Sequence, residues 1–154
     1  MKTKYFPTHS QNRMKSEGNV KAARESFLHT KNKILYQLIK QRFSWMNDYV
    51  PENAENVIEL GTGAGLSKQF ITSKKLLLTD VLDNPWVDKY EDALNIDYPS
   101  GSLDAVICSH MIHHIANPAQ FLDKITILLN GGADNNPRYL HIMDYEDSSS
   151  YHEA

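Results

Sequence analysis

Apolar positions along this chain change period several times, and each change marks an element. Residues 1 to 19 are rich in Lys, Ser, Asn and Gln without periodicity, which predicts a flexible N-terminal arm, although Tyr5, Phe6 and Pro7 have the character to pack on the body. From Val20 to Met46 the period becomes helical. Phe27, Ile34, Leu35, Leu38, Ile39 and Phe43 recur mostly at helical spacing, Lys31, Lys33, Lys40 and Arg42 take much of the remaining surface, and Pro51 closes the segment. That pattern predicts a helix over 20–50 packed on a sheet. Val57-Ile58 then opens a short β-branched run of the kind a buried strand needs.

Past three closely spaced glycines, a helix is expected to begin near Ala64 and to show as a short apolar stretch from Leu66 to Ile71. Leu76-Leu77-Leu78-Thr79-Asp80 predicts a second buried strand, Tyr90 to Ala93 a third, and Ala105-Val106-Ile107-Cys108 a fourth. Asn84-Pro85 has the form of a helix cap, yet little helical sequence follows it, so the crossover to the third strand is short. Asn117-Pro118 starts a helix whose stripe is Phe121, Leu122, Ile125 and Leu128-Leu129, and Gly131-Gly132 stop it. Strands alternating with helices predict an α/β fold with a mostly parallel sheet.

Composition narrows this picture only a little. With 154 residues the chain is long enough for one domain with a real core. A formal net charge of −3 leaves no electrostatic footprint for nucleic acid or an anionic membrane. No apolar run reaches membrane-spanning length, and the single cysteine, Cys108, excludes an internal disulfide framework and fits a reducing cytoplasm. A soluble cytoplasmic protein is therefore expected.

The candidate chemistry lies in Glu59-Leu60-Gly61-Thr62-Gly63-Ala64-Gly65, where an acid near a strand end precedes glycines at every second position. Glycines there permit a tight turn and let a ligand approach bare backbone. A dinucleotide loop needs Gly-X-Gly-X-X-Gly, but position 66 is Leu and the third glycine comes one residue early. Glu59 would also repel a pyrophosphate. A nicotinamide-dependent oxidoreductase is thus disfavoured, and a ligand carrying positive charge suits the loop better. Asp80, 21 residues after Glu59 at the end of the second strand, stands where an acid accepts hydrogen bonds from ribose hydroxyls.

The stretch resembles the first motif of class I S-adenosylmethionine-dependent methyltransferases, hydrophobic-Glu/Asp-X-Gly-X-Gly-X-Gly. Downstream, Asp92-Ala93 followed by Ile96-Asp97-Tyr98-Pro99-Ser100-Gly101-Ser102-Leu103-Asp104 is similar to that family's Asp-Ala … Leu-Pro-Phe-Pro-Asp-X-Ser-Phe-Asp segment, departing from it at Asp97 and Ser100. Ser109-His110-Met111-Ile112-His113-His114-Ile115 resembles its hydrophobic-His-His-hydrophobic segment after strand four, and the helix ending in Gly-Gly also matches. The resemblance covers residues 50 to 132. It implies a three-layer α/β/α Rossmann-like methyltransferase fold in which S-adenosyl-L-methionine is held by Glu59, Gly61, Thr62, Gly63 and Gly65, by Asp80 on the ribose, and by Val81 beside the adenine with Leu82. Asp92 would accept from the adenine amino group with Ala93 next to the ring, and Ser109 and His110 would border the methionine moiety. The helix before the glycines would cap the acceptor pocket.

Three histidines within five residues raise the question of a metal, but their spacing fits no zinc signature and no cysteine or acidic cluster accompanies them. His110, His113 and His114 are instead candidate general bases, since imidazole titrates near neutrality. His110 is the one expected to face the pocket, and His113 or His114 to be structural. The implied reaction is methyl transfer to a small-molecule or glycan-like acceptor, with no nucleic-acid or membrane partner; the oligomeric state leaves no mark in the sequence.

The tail breaks the pattern. Where the family continues with an apolar strand, a helix and two further strands, residues 133–154 begin with Ala133-Asp134-Asn135-Asn136-Pro137, and only Tyr139-Leu140-His141-Ile142-Met143 offers a short fifth strand. A tail read out of frame would account for this: Asp134 to Tyr139 encoded GAT-AAT-AAT-CCA-AGA-TAT, then T, gives Ile-Ile-Ile-Gln-Asp-Ile one base later, and Asp147 with Ser148 to Ser150 turns apolar under the same shift. The rival account is a genuine or deliberately shortened protein, and the codons themselves decide between the two. The expectation is accordingly one methyltransferase-like domain over 20–154, with a cofactor-binding core at 51–132 and the usual last strands missing. The alternative function is that of a truncated, inactive cofactor-binding remnant.

Overall fold

The apolar runs assemble into one parallel sheet. Its strands are β1 (Val57–Leu60), β2 (Leu76–Asp80), β3 (Lys89–Tyr90), β4 (Ala105–Ser109) and β5 (Tyr139–Met143), ordered β3-β2-β1-β4-β5. In this computed structural model the described residues are 19–50, 52–73, 75–115, 117–129 and 139–143. The expected arm, apart from Asn19, and the tail outside 139–143 therefore fall outside the described residues. β1 lies between β2 and β4, with Glu59 opposite Leu78 on one side and Ile107 on the other. Chain order reverses between β1 and β4, and in open α/β sheets ligands bind in the crevice beyond the strand ends at that point.

Alternation along the strands divides the core in two. Val57, Leu76, Leu78, Ala105 and Ile107 pack on one face against Phe27, Phe43, Met46 and Phe70. Ile58, Leu60, Val106 and Cys108 pack on the other against Phe121, Ile125 and Leu128, with Leu140 and Ile142 of β5 partly buried beside them. Burial on both faces is what makes these strands read as continuous apolar runs. The result is the expected three-layer α/β/α arrangement, with the strands over 76–80 and 139–143 where the sequence placed them.

Three local expectations are corrected. The segment after Asn19 is two helices, α1 (Val20–Leu28) and α2 (Lys33–Ser44), followed by a 3-10 turn at Trp45–Asp48. The break is made by Asn32, whose side-chain oxygen caps α2 by accepting from the amides of Ile34 (3.0 Å) and Leu35 (3.2 Å). Within α2 the core-facing residues are Leu35, Ile39 and Phe43, spaced by four, whereas Ile34 and Leu38 are exposed. The third strand is only Lys89–Tyr90, and Asp92 and Ala93 lie in the following turn. The crossover between β2 and β3 is short, as expected: no helix follows Asn84-Pro85, and the amide of Val87 closes a turn on the Asn84 carbonyl at 2.9 Å.

The third correction concerns the helix expected near Ala64. Only a 3-10 turn at Ser67–Gln69 forms, because the chain must reach β2 by Leu76 and leaves the loop in left-handed steps, with φ of 66°, 53° and 63° at Gly61, Gly63 and Gly65. On the opposite face α3 (Pro118–Leu129) forms as expected, with the Asn117 side chain accepting from the Gln120 amide at 3.2 Å. No helix among the described residues is long and apolar enough to cross a membrane.

Asp104 ties the entry of β1 to that of β4. One of its carboxylate oxygens accepts from the amides of Glu55 (2.9 Å) and Asn56 (3.0 Å). Asp104→Ala leaves both donors to water and is expected to lower stability by about 1–2 kcal/mol in urea unfolding, with an unchanged m-value. An unmoved midpoint would show that the bracket contributes nothing.

Candidate functional site

The loop from Gly61 to Gly65 bends over the ends of β1 and β2, and its amides are held from below. Thr62 N–H donates to the Thr79 carbonyl (3.0 Å), Gly63 N–H to an Asp80 carboxylate oxygen (2.8 Å), and Gly65 N–H to the Thr62 carbonyl (2.9 Å). The second Asp80 oxygen accepts from the Leu82 amide at 2.9 Å. Asp80 thus fixes the loop with one oxygen and the chain after β2 with the other, and each oxygen keeps a further lone pair for a ligand donor.

Glu59 stands where the sequence placed it, but its surroundings were not foreseen. It is 1% exposed, and one carboxylate oxygen accepts both the Thr62 hydroxyl (2.7 Å) and the Ser67 hydroxyl. Burial pushes its pKa up to about 7; the two hydroxyls oppose the shift, and the Asp80 charge adds to it. A carboxyl half ionised near neutrality is poised to gain its charge when a cation arrives.

A cavity of about 660 Å³ opens over these groups. Every residue proposed from sequence except Gly65 and His113 lies on its wall: Glu59, Gly61, Thr62, Gly63, Asp80, Val81, Leu82, Asp92, Ala93, Ser109, His110 and His114. Gly65 instead packs beneath Trp86, and the side chain of His113 is outside the described residues. His114, one of the two histidines left open between a structural role and a general base, joins His110 at the cavity. His110 holds a φ of 55°, rare for a residue with a side chain, just beyond β4. Asp92 is held below the usual carboxylate range by the Leu94 amide (3.0 Å) and the Asn95 side chain (2.5 Å), so its charge persists at the rim. Burial and then the Glu59 charge push the Cys108 thiol up, which leaves it protonated and unsuited to nucleophilic work.

Several contributors were not among the site residues proposed from the sequence, although the segment before the glycines was expected to cap the pocket. Val20 of α1 and Ile39, Arg42 and Phe43 of α2 line the cavity, so the N-terminal helices both pack on the sheet and wall the pocket. Glu91, 9% exposed and 2.6 Å from Lys89 Nζ, adds another acid to the wall. Arg24 donates to the loop carbonyls of Ala64 (2.7 Å) and Gly65 (3.2 Å). Trp86 Nε1 donates to that of Gly63 at 2.8 Å. Ser67 alone was within reach, as a hydroxyl one turn past the loop.

An all-parallel sheet with a glycine loop and two strand-end acids at its switch point defines a Rossmann-like nucleoside-binding architecture. The profile of the family described as "methyltransferase domain" matches residues 49–133, more than half of the chain, and the chain belongs to that family. S-adenosylmethionine is the cofactor that goes with it. Among solved structures, a SAM-dependent methyltransferase from Thermotoga maritima, described as a possible histamine N-methyltransferase, shares 14% identity at a TM-score of 0.54, with 82% of this chain and 58% of that one covered. A SAM-dependent methyltransferase from Archaeoglobus fulgidus shares 19% at a TM-score of 0.52, covering 60% and 48%. At such identities the likeness is one of fold, and this chain spans about half the length of those two. No curated protein matches the sequence.

The residues present fit the cofactor. Beside Gly63 an added Cβ would meet nothing nearer than Val20 at 3.9 Å, so the loop backbone faces open space where a ligand can lie against it. The adjoining wall is acidic, as a ligand with an ammonium and a sulfonium group requires.

Proposed function

We propose that the chain transfers a methyl group from S-adenosylmethionine to a small-molecule or glycan-like acceptor. The observation that carries this reading is the placement of Glu59 and Asp80 on one cavity wall with the left-handed glycine loop between them. When bound, S-adenosylmethionine supplies a sulfonium methyl carbon, which the acceptor nucleophile takes while the C–S electron pair stays on sulfur. Glu59 would meet the positive charge from below, Asp80 would accept from the ribose hydroxyls, and Asp92 would accept from the adenine amino group, with Val81 and Ala93 beside the ring. Ser109 and His110, both on the cavity wall, would border the methionine portion. His110 or His114 takes the acceptor proton, and alignment in a walled pocket supplies most of the rate enhancement. A cavity of about 660 Å³ is in the range of small-molecule clefts.

Calorimetric titration of the 154-residue chain with S-adenosylhomocysteine tests the reading. Glu59→Gln combined with Asp80→Asn removes two charge-assisted acceptors and is expected to weaken binding by a factor on the order of 100. Equal affinity in the double variant would sink the assignment. Binding without turnover on any acceptor would favour the second reading, an inactive cofactor-binding remnant.

A further inference from the structure

We infer that Arg24 and Trp86 are positioning residues for the cofactor loop, doing the work that a following α-helix would otherwise do. In a helix begun at the loop, the carbonyls of residues 63, 64 and 65 would accept amides from the next turn. Here the turn after the loop is 3-10, with Gln69 N–H bonded to the Leu66 carbonyl and Phe70 N–H to that of Ser67. The three earlier carbonyls are met from outside the loop. Trp86 takes Gly63 at 2.8 Å, and one Arg24 nitrogen takes Ala64 at 2.7 Å and Gly65 at 3.2 Å.

The two residues also brace each other, since the Arg24 guanidinium lies 4.7 Å from the Trp86 ring centroid. Trp86 in turn occupies the space a side chain at position 65 would need, with its Cδ1 2.4 Å from where a Cβ would stand. The loop is thereby held on both edges, its amides by β2 and Asp80 and its carbonyls by α1 and the β2–β3 connection. Arg24 comes from 40 residues upstream of Ala64, so α1 serves the cofactor site through a residue that does not itself line the cavity, besides lending Val20 to the wall. A loop fixed before binding loses less freedom on binding, and affinity should follow.

This inference rests on the reading that the loop holds S-adenosylmethionine, and its test separates the two. Arg24→Gln is expected to weaken S-adenosylhomocysteine binding about tenfold. It should also speed hydrogen exchange at the amides of Thr62, Gly63 and Gly65, while β4 and α3 exchange as in the parent chain. Arg24→Lys should restore part of both, since an ammonium can serve a carbonyl. Trp86→Phe, which keeps the ring under Arg24 but lacks the donor, should show the same pair of effects and serves if the arginine variants do not fold. Unchanged loop exchange in a folded variant overturns the inference, as does unchanged affinity. Should the parent chain itself bind no S-adenosylhomocysteine, the methyltransferase reading fails, and loop exchange in the ligand-free protein alone decides for or against the clamp.

Discussion

Glu59→Gln is expected to make the ligand-free protein more stable at pH 8 and to flatten its stability between pH 5 and 7. The Glu59 carboxyl has its pKa pushed up from 4.5 to about 7 by burial, so the folded state binds a proton that the unfolded chain has already released across that window. The associated stability is complete below the unfolded value and is lost as pH rises through the folded one. A shift from 4.5 to about 7 corresponds to a loss on the order of 3 kcal/mol. Glutamine keeps an acceptor for the Thr62 and Ser67 hydroxyls and carries no charge to desolvate. Its amide must still find a partner, so a net gain of about 1–3 kcal/mol at pH 8 is expected, or roughly 2–4 °C in thermal midpoint per kcal/mol. Midpoints of parent and variant, compared across pH 5 to 8, isolate the Glu59 contribution from that of other carboxylates. Parallel curves would show that Glu59 ionises freely in the fold. The same group links stability to function. A cationic ligand favours the ionised carboxyl, so binding near pH 6.5 should release a proton, visible as a dependence of calorimetric heat on buffer ionisation enthalpy that Glu59→Gln removes.

This buried acid also shows how far the sequence could be read. Its position was legible because a β-branched run followed by an acid and alternate glycines permits few structures. Leu76 to Asp80 was legible for the same reason, being an apolar run long enough for one buried strand and ending in an acid. What Glu59 contacts was not legible. The Thr62 and Ser67 hydroxyls reach it only because the chain turns left-handed three times and never settles into a helix. Leu66, Phe70 and Ile71 have helical spacing and are all buried, so the apolar pattern gave the right residues for the core and the wrong backbone. Connection length decided the matter: with β2 beginning at Leu76, the segment could hold little more than a 3-10 turn. Likewise Phe27 and Ile34 stand seven apart, a helical interval that carried the apparent stripe across the break at Asn32, although Ile34 is 72% exposed. Arg24 shows the limit most plainly. An arginine on an amphipathic helix reads as solvated surface, and nothing in local periodicity marks a contact 40 residues away.

Alanine substitutions at the glycines should separate conformational strain from crowding, with Gly65→Ala far more damaging than Gly63→Ala. Both positions lie in the left-handed region, at φ 63° and 53°, so each substitution costs about 1–2 kcal/mol in backbone strain. Their surroundings differ. At Gly63 the nearest atom to an added Cβ is Val20 Cγ1 at 3.9 Å, an ordinary contact. At Gly65 the Cβ would stand 2.4 Å from Trp86 Cδ1 and 3.1 Å from Cγ and Nε1. That indole cannot swing aside cheaply, because its N–H is bonded to the Gly63 carbonyl and Arg24 lies over its ring. Relieving the clash breaks the bond, the stacking or the loop, and overpacking of this kind adds about 1–3 kcal/mol. Gly61→Ala should fall between the two, since its Cβ would meet Met111 Cγ at 2.6 Å and a methionine chain can rearrange. Chemical unfolding of the three variants should therefore rank stability as Gly63→Ala above Gly61→Ala above Gly65→Ala. For binding, Gly63 carries the opposite emphasis, because the space its missing side chain leaves is the space a ligand would use. Gly63→Ala should lose S-adenosylhomocysteine affinity out of proportion to its small loss of stability, whereas Gly65→Ala should lose both together. Equal losses of stability at 63 and 65 would show that left-handed strain alone governs the loop and that the indole yields.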